Sequence, residues 1–90
     1  MRIEWDPKKA ASNEIKHGVS FEEAKSVFED PLFVDFYDPQ HSINEHRYII
    51  IGESRRGRIL IVAYSESKET VRLISARETT SNERRGYEEG

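Results

Sequence analysis

The sequence predicts an α+β domain with two N-terminal helices packed on a four-stranded antiparallel sheet and a short C-terminal helix. Helix-capping residues and apolar side chains at three- and four-residue steps occupy residues 6–31. From Leu32 onward the apolar period changes to two, and β-branched and aromatic residues dominate. A further capping pattern begins at Thr80. Ninety residues form one domain, residues 1–90, with no room for a second lobe.

The N-terminal part is predicted to form a short extended lead-in over residues 3–5 and then two helices. Asp6 supplies an N-cap oxygen and is followed by a proline, which suits the first helical position. Gly18 ends the first helix, since glycine adopts the left-handed conformation cheaply. Ser20 and Glu23 form an S-x-x-E capping box that starts the second helix, which closes before Pro31.

Four strands are predicted after the helices. They are Leu32–Tyr37, Glu45–Gly52, Arg58–Ser65 and Thr70–Ala76. Short polar segments join the last three, so these strands should pair as antiparallel hairpins. Residues 49–51 and 59–62 are apolar at every position, which predicts that both faces of the sheet are partly covered. The third helix, which starts at a capping box of Thr80 and Glu83, or a partner protein would cover part of the second face.

Composition excludes several classes of protein. The net charge is −3, but residues 41–77 carry seven basic and four acidic side chains between acidic flanks, so one face could suit phosphate. The chain has no cysteine, no apolar run near the roughly 20 residues that span a bilayer, and no visible secretory signal. We therefore expect a cytoplasmic protein that has no disulfide and no cofactor, and that does not enter a membrane.

The start of the second predicted strand carries the first candidate for chemistry. A period of two places Glu45 and Arg47 on one face and His46 and Tyr48 on the other. A carboxylate beside a guanidinium could act as a general base next to a phosphate clamp. It could also be a surface ion pair, which is the more frequent case for such a pair and stabilises a protein by about 0 to 1 kcal/mol.

Two arginines of the last predicted strand are further candidates. Arg72 and Arg77 have opposite parity, so they should face different sides of the sheet unless a bulge intervenes. Arg77 lies just before the helix start at Thr80, where its guanidinium and free backbone N–H groups could bind an anion. The alternative is an ion pair with a glutamate such as Glu83 that fixes the helix.

The histidines give weaker signals. Lys16 and His17 end a helix, where the helix dipole favours cations, so the sequence favours a structural role for this pair. His41 and His46 have no third ligand nearby in the sequence, which makes a metal site improbable. No glycine-rich phosphate loop is present.

Five stretches cover nearly the whole chain in a recognisable order: WDPKKAASNEIKHGVSF, DPLFVDFYD, EHRYIIIG, RILIVAYSE and VRLISARETTSNERRGYE. Taken together, they resemble the BrnT family of toxins from bacterial toxin–antitoxin pairs. The resemblance implies a RelE-like fold and endoribonuclease activity. It also implies a BrnA-like antitoxin with a ribbon-helix-helix domain, so that the protein would contact operator DNA only through that antitoxin.

These expectations lead to a metal-independent ribonuclease in which the 2′-hydroxyl of RNA attacks the adjacent phosphate. Glu45 is the candidate base, and Arg47, Arg72 and Arg77 are candidates to stabilise the phosphate. His46 or Tyr64 is the candidate acid. The alternative is a non-catalytic module that binds the antitoxin and acts mainly as a transcriptional co-repressor.

The chain departs from the family at one segment. Where many members have a Y-T-E-R-like stretch, this chain has Tyr64-Ser65-Glu66-Ser67 and therefore lacks an arginine. If that arginine helps to hold RNA in the family, activity here would be weakened or relocated.

Overall fold

The computed structural model describes residues 1–42 and 44–90, and within them a mixed sheet packs with three helices. The strands are β1 (Arg2–Glu4), β2 (Val34–Tyr37), β3 (Arg47–Glu53), β4 (Ile59–Ser67) and β5 (Thr70–Glu78). The helices are α1 (Pro7–His17), α2 (Phe21–Ser26) and α3 (Ser81–Glu89). A 3-10 turn, Val27–Glu29, continues α2.

The α+β class is confirmed, but the predicted sheet of four antiparallel strands is wrong. In the described part of the chain the sheet has five strands in the order β1-β5-β4-β3-β2. β2 to β5 pair antiparallel, and β1 pairs parallel with β5, with Ile3 opposite Val71. The extended lead-in predicted at residues 3–5 is thus an edge strand. Three residues carry too short a pattern to reveal a partner almost 70 positions away.

The helix ends lie where the capping residues predict them. The Asp6 carboxylate accepts a hydrogen bond from the N–H of Lys8 at 2.8 Å. Gly18 adopts a left-handed conformation with φ of 69° and ends α1. Ser20 Oγ accepts a hydrogen bond from the N–H of Glu23 at 3.1 Å and starts α2.

In a full capping box the Glu23 carboxylate would accept a hydrogen bond from Ser20 N–H. Here the Glu23 carboxylate forms an ion pair with Arg58 instead. The Glu23 carboxylate turns toward the β3–β4 turn, where it accepts hydrogen bonds from Ser54 Oγ at 2.7 Å and from Arg58 Nε at 2.9 Å. The hydrogen bond from Arg58 is the main reason that the pKa of Glu23 lies below its usual value. The side chain is 7% exposed, so a charged partner stabilises it better than the backbone of Ser20 does.

The hydrophobic core lies on one face of the sheet. α2 and its 3-10 turn contribute Val19, Phe21, Ala24 and Val27, and the sheet contributes Ile50, Leu60, Val62, Tyr64, Val71, Leu73 and Ala76. We call this side of the sheet the core face. Burial of these apolar side chains, each worth about 1.5–3 kcal/mol, is the main stabilising contribution.

Helix α1 runs along the sheet edge beside β5. The amide of Asn13 donates a hydrogen bond to Ala76 O at 2.8 Å and accepts one from Ala76 N–H at 3.0 Å. It also donates to Val19 O at 3.0 Å. Since β1 pairs with β5 only as far as Arg72, this side chain takes the place of a neighbouring strand farther along the edge.

Helix α3 covers one end of the second face of the sheet. It contacts β3, and Ile51 on that face is only 5% exposed. A complete capping box starts the helix: Thr80 Oγ1 accepts a hydrogen bond from Glu83 N–H, and Glu83 Oε1 accepts one from Thr80 N–H. Tyr87 donates a hydrogen bond to Asp30 at 2.6 Å and ties α3 to the chain before β2. The rest of this face is left uncovered by the described helices.

Candidate active site

A β-bulge brings the two arginines of β5 to the same side of the sheet. The register along β4 shifts between Ala63, which pairs with Ser75, and Tyr64, which pairs with Leu73. Ile74 is therefore an extra residue that interrupts the alternation of side chains. Arg72 and Arg77 consequently share one face, whereas strict alternation predicted opposite faces.

The face opposite the core face carries arginine side chains from two strands, β3 and β5. Arg47 of β3, Ser65 of β4 and Arg72 of β5 are paired in one row, so the two arginines flank the serine about 10 Å apart. We call this surface the open face. It is formed by Arg47, Ile49, Ile61, Ala63, Ser65, Arg72, Ser75 and Arg77.

One end of the open face forms a wide polar cleft beside the β4–β5 hairpin. It has a volume of about 450 Å³ and is lined by Glu4, Glu45, Ser65, Ser67, Lys68, Thr70 and Arg72. We call it the hairpin cleft. Glu45 Oε1 accepts a hydrogen bond from Arg47 Nε at 3.2 Å, and a carboxylate oxygen of Glu4 lies 3.8 Å from Arg72 Nη2. The candidate base Glu45 therefore lies with Arg47 and Arg72.

A smaller cavity occupies the other end of the open face. It has a volume of about 120 Å³ and is lined by His17, Ile49, Ile61, Ala63, Ser75 and Arg77. We call it the His17 cavity. His17 reaches it because α1 runs along the edge of β5 and ends at this height. Within residues 1–42 and 44–90, no hydrogen-bond partner occupies the His17 ring.

Arg77 lines the His17 cavity and forms an ion pair with Glu83. Its Nη1 and Nη2 each donate a hydrogen bond of 2.9 Å to the Glu83 carboxylate, and Nη1 also donates to Glu78 O at 3.1 Å. The hydrogen bond from Arg77 is the main reason that the pKa of Glu83 falls to about 2. The predicted alternative for Arg77, an ion pair with Glu83 that fixes the helix, is thus confirmed.

The two candidate acids lie on the other side of the sheet from the arginines. Tyr64 is 3% exposed on the core face and donates a hydrogen bond to Asp35 at 3.3 Å. Burial and the nearby Asp35 carboxylate raise the pKa of its hydroxyl far above the usual range. His46 precedes β3 and packs against Tyr37, with ring centroids 5.9 Å apart. Alternation along a strand separates His46 from Arg47, as the sequence predicted.

His17 is the site residue that sequence reasoning missed. The helix dipole explains a histidine at the end of α1, and that explanation is local. The position of His17 beside Ser75 and Arg77 depends on how α1 docks against β5, which no local pattern encodes. One feature of the sequence could have indicated this docking. Asn13 lies one helical turn before His17, and its amide forms a hydrogen bond with the edge of β5, so the two side chains share the side of α1 that faces this strand.

No three side chains of His, Asp or Glu within residues 1–42 and 44–90 lie close enough together to form a metal site. In the same residues no helix has the length and apolar character needed to cross a bilayer.

The match to a protein family decides the identity of the chain. Residues 5–83 match the family described as "Ribonuclease toxin, BrnT, of type II toxin-antitoxin system". The chain belongs to the BrnT family. Membership in the BrnT family implies an RNA substrate and an antitoxin partner in general terms.

A solved structure supports the same family. The chain is similar to the 1.1 Å crystal structure of the Brucella abortus ribonuclease toxin BrnT, with a TM-score of 0.65 and 25% sequence identity. The match covers 90% of this chain and 99% of the Brucella chain. Comparison with curated protein sequences gives no match. The likeness of the BrnT fold to RelE toxins stays a prediction.

Proposed function

We propose that the protein is a metal-independent endoribonuclease toxin that cleaves RNA in the cytoplasm and thereby inhibits translation. A BrnA-like antitoxin with a ribbon-helix-helix domain neutralises it, and the protein contacts operator DNA only through that antitoxin. In the reaction the 2′-oxygen of the substrate attacks the adjacent phosphorus while the bond to the 5′-oxygen breaks. The products are a 2′,3′-cyclic phosphate and a free 5′-hydroxyl.

The presence of three arginines on one face supports this proposal most strongly. Arg47 and Arg72 flank the hairpin cleft, and Arg77 lies roughly 15 Å from Arg72 along β5. A single strand of RNA laid across the open face meets guanidinium groups at both ends. Arginine suits this role because its planar group binds two phosphate oxygens at once.

Within this proposal Glu45 is the base that takes the proton from the 2′-hydroxyl. Its side chain is about half exposed, beside Arg47 and in the hairpin cleft with Arg72. The hydrogen bond that its carboxylate accepts from Arg47 Nε at 3.2 Å holds the base beside the arginine that would bind the phosphate. The arginines also stabilise the negative charge that develops on the phosphorane.

The proposal leaves His46 and Tyr64 outside the proton-transfer step. Their side chains lie on the core-face side, and the Tyr64 hydroxyl is occupied by Asp35. A substrate bound along the open face would have the sheet between itself and both groups. The acid therefore has to come from another residue of the open face.

Cleavage by the purified protein in excess chelator tests the proposal. We expect RNA to be cut with a 2′,3′-cyclic phosphate end, and we expect Arg47→Ala and Arg72→Ala to reduce the rate. Arg55→Ala is the matched control because Arg55 is 78% exposed on the β3–β4 turn, away from the open face. Loss of cleavage in chelator that a divalent ion restores would remove the metal-independent mechanism. Growth inhibition that survives loss of Arg47 and Arg77 together would remove the catalytic assignment.

An exposed apolar surface supports the second activity, which is binding of the antitoxin. Leu32 and Phe33 lie next to each other just before β2 and are 72% and 41% exposed. An exposed apolar patch of this kind commonly marks a partner surface. A protein that does not cleave RNA and still binds the antitoxin would favour the non-catalytic co-repressor. Leu32→Asp should weaken antitoxin binding and leave RNA cleavage unchanged.

A further inference from the structure

We propose that His17 is the general acid of the reaction and that it protonates the 5′-oxygen as this oxygen leaves phosphorus. The inference rests on the proposed ribonuclease function and fills the role that His46 and Tyr64 leave vacant on the open face. Arg77, which lines the same cavity, binds the phosphate oxygens in this arrangement.

The fold fixes His17 relative to Arg77. His17 follows Asn13 by four residues, so the two side chains share one side of α1. The Asn13 amide holds both backbone groups of Ala76, and Ala76 immediately precedes Arg77. The end of α1 is therefore tied to the segment of β5 that presents Arg77. A general acid needs such fixed placement because proton transfer depends on close approach to the leaving oxygen.

The chemistry of the His17 ring fits the role. Imidazole is the side chain that changes its protonation state near neutral pH, so it can deliver a proton and be reprotonated. In the described residues its nitrogens are left without a hydrogen-bond partner, although it is only partly exposed.

Arg77 keeps donors for a ligand in spite of its ion pair with Glu83. A guanidinium has five N–H donors, and Glu83 and the Glu78 carbonyl take three of them in the described part of the chain. The Nε–H and one Nη2–H remain, and these two form the second fork of the group. A phosphate can bind that fork with two parallel hydrogen bonds.

The size and lining of the His17 cavity limit what it can hold. Its volume of about 120 Å³ is well below the roughly 300–1,000 Å³ of pockets that enclose a whole small ligand. It therefore suits one phosphate with part of a ribose. Ile49, Ile61 and Ala63 make its floor apolar, and the low dielectric strengthens the attraction between Arg77 and the phosphate. Ser75 adds a hydroxyl donor.

In the proposed arrangement the base and the acid act on one phosphate that lies between their two neighbouring clefts. Ala63 lines the His17 cavity and Ser65 lines the hairpin cleft, two residues apart and roughly 7 Å along β4. A phosphate above this stretch has Glu45 on one side and His17 on the other. Glu45 takes the 2′-hydroxyl proton as the bond from the 2′-oxygen to phosphorus forms. The electron pair of the broken bond passes to the 5′-oxygen, which takes the proton from the His17 imidazolium.

A pair of substrates tests the inference. One is ordinary RNA, and the other has sulfur in place of the 5′-bridging oxygen, so that its leaving group needs no proton. We expect His17→Ala to slow cleavage of ordinary RNA by about 100-fold or more and to cleave the sulfur substrate nearly as fast as the unaltered protein does. Glu45→Ala should slow both substrates. His41→Ala is the matched control, because His41 is exposed and bonds Asp38.

The comparison between substrates removes the effect of any loss of folded protein, since misfolding lowers both rates equally. Equal losses on both substrates for His17→Ala and His17→Gln, in variants whose circular dichroism and unfolding transition match those of the unaltered protein, would overturn the acid role. So would unchanged cleavage of ordinary RNA by either variant. These results differ from failure of the proposed function, in which the unaltered protein would cleave neither substrate.

Discussion

Arg72 and Arg77 lie on the same face of the sheet, although they are five residues apart in one strand. An odd separation places two side chains on opposite faces of a regular strand. The extra residue Ile74, opposite the Ala63–Tyr64 step, reverses the alternation between them. Together with Arg47 they place three guanidinium groups on this face, and each of the three is paired with a glutamate. The bulge therefore assembles the surface that we propose binds RNA.

The salt dependence of RNA binding should show directly whether these arginines contact phosphates. Each phosphate contact on a single strand contributes about −0.7 to the slope of log affinity against log salt concentration. We expect Arg72→Ala and Arg77→Ala each to reduce the slope by about this amount, measured by fluorescence anisotropy with a non-cleavable oligonucleotide. Arg55→Ala should leave the slope unchanged. Equal slopes for all three variants would contradict a phosphate-binding role for the open face.

Replacement of Ser67 by arginine should strengthen RNA binding. Ser67 is exposed in the hairpin cleft beside Lys68 and Arg72, at the position where the resemblance to the family leads us to expect an arginine. An exposed ion pair contributes up to about 1 kcal/mol, so we expect affinity to increase roughly two- to fivefold. Ser67→Gln is the control for side-chain size. A larger effect of glutamine than of arginine would be inconsistent with phosphate contact at this position.

Glu83 should make stability depend on pH at low pH. Its folded-state pKa of about 2 lies below the ordinary 4.5, so its contribution to stability is complete above about pH 4.5 and is lost as pH falls toward 2. The contribution is on the order of 2 kcal/mol once solvent screening is allowed for. Denaturant unfolding should show a gap between the unaltered protein and Glu83→Gln that shrinks over this window. A gap that is constant from pH 2 to pH 6 would refute the ion pair with Arg77.

Asn13→Ala should destabilise the fold and displace His17. The change leaves the buried N–H and carbonyl of Ala76 without their partner, at about 1–3 kcal/mol for each group. We expect a loss of roughly 2–5 kcal/mol in unfolding free energy, together with slower RNA cleavage by the variant that remains folded. Asn82→Ala, on the exposed side of α3, should change stability by less than about 0.5 kcal/mol. Similar stabilities for the two variants would count against the role of Asn13.

Local signals explain why much of the fold was predictable. The capping residues of α1 and α3 form hydrogen bonds only with residues within four positions, so the limits of both helices follow from the sequence. These residues are Asp6, Gly18, Thr80 and Glu83. The alternation of apolar residues likewise located the strands from β2 to β5. The position of Glu45 beside Arg47 is local too, and it was predicted correctly.

The remaining features depend on contacts between distant residues. β1 was missed because Ile3 finds its partner at Val71, and the bulge at Ile74 exists only relative to the register of β4. The Glu23 carboxylate bonds Arg58, which is 35 positions away, and not the backbone of Ser20 as the capping pattern predicted. His17 joins the site through the docking of α1. Each of these features requires knowledge of which elements become neighbours, which single-sequence patterns do not contain.

Mapping of bound RNA by amide NMR tests the central claim most directly, because it shows which face of the sheet binds the substrate. The ligand would be a single-stranded 2′-O-methyl RNA, which cannot be cleaved through the 2′-hydroxyl. We predict that the largest shifts occur at Ala63, Ser65 and Arg77 of the open face. Shifts confined to β2 and the segment that precedes it, with the open face unaffected, would contradict the claim.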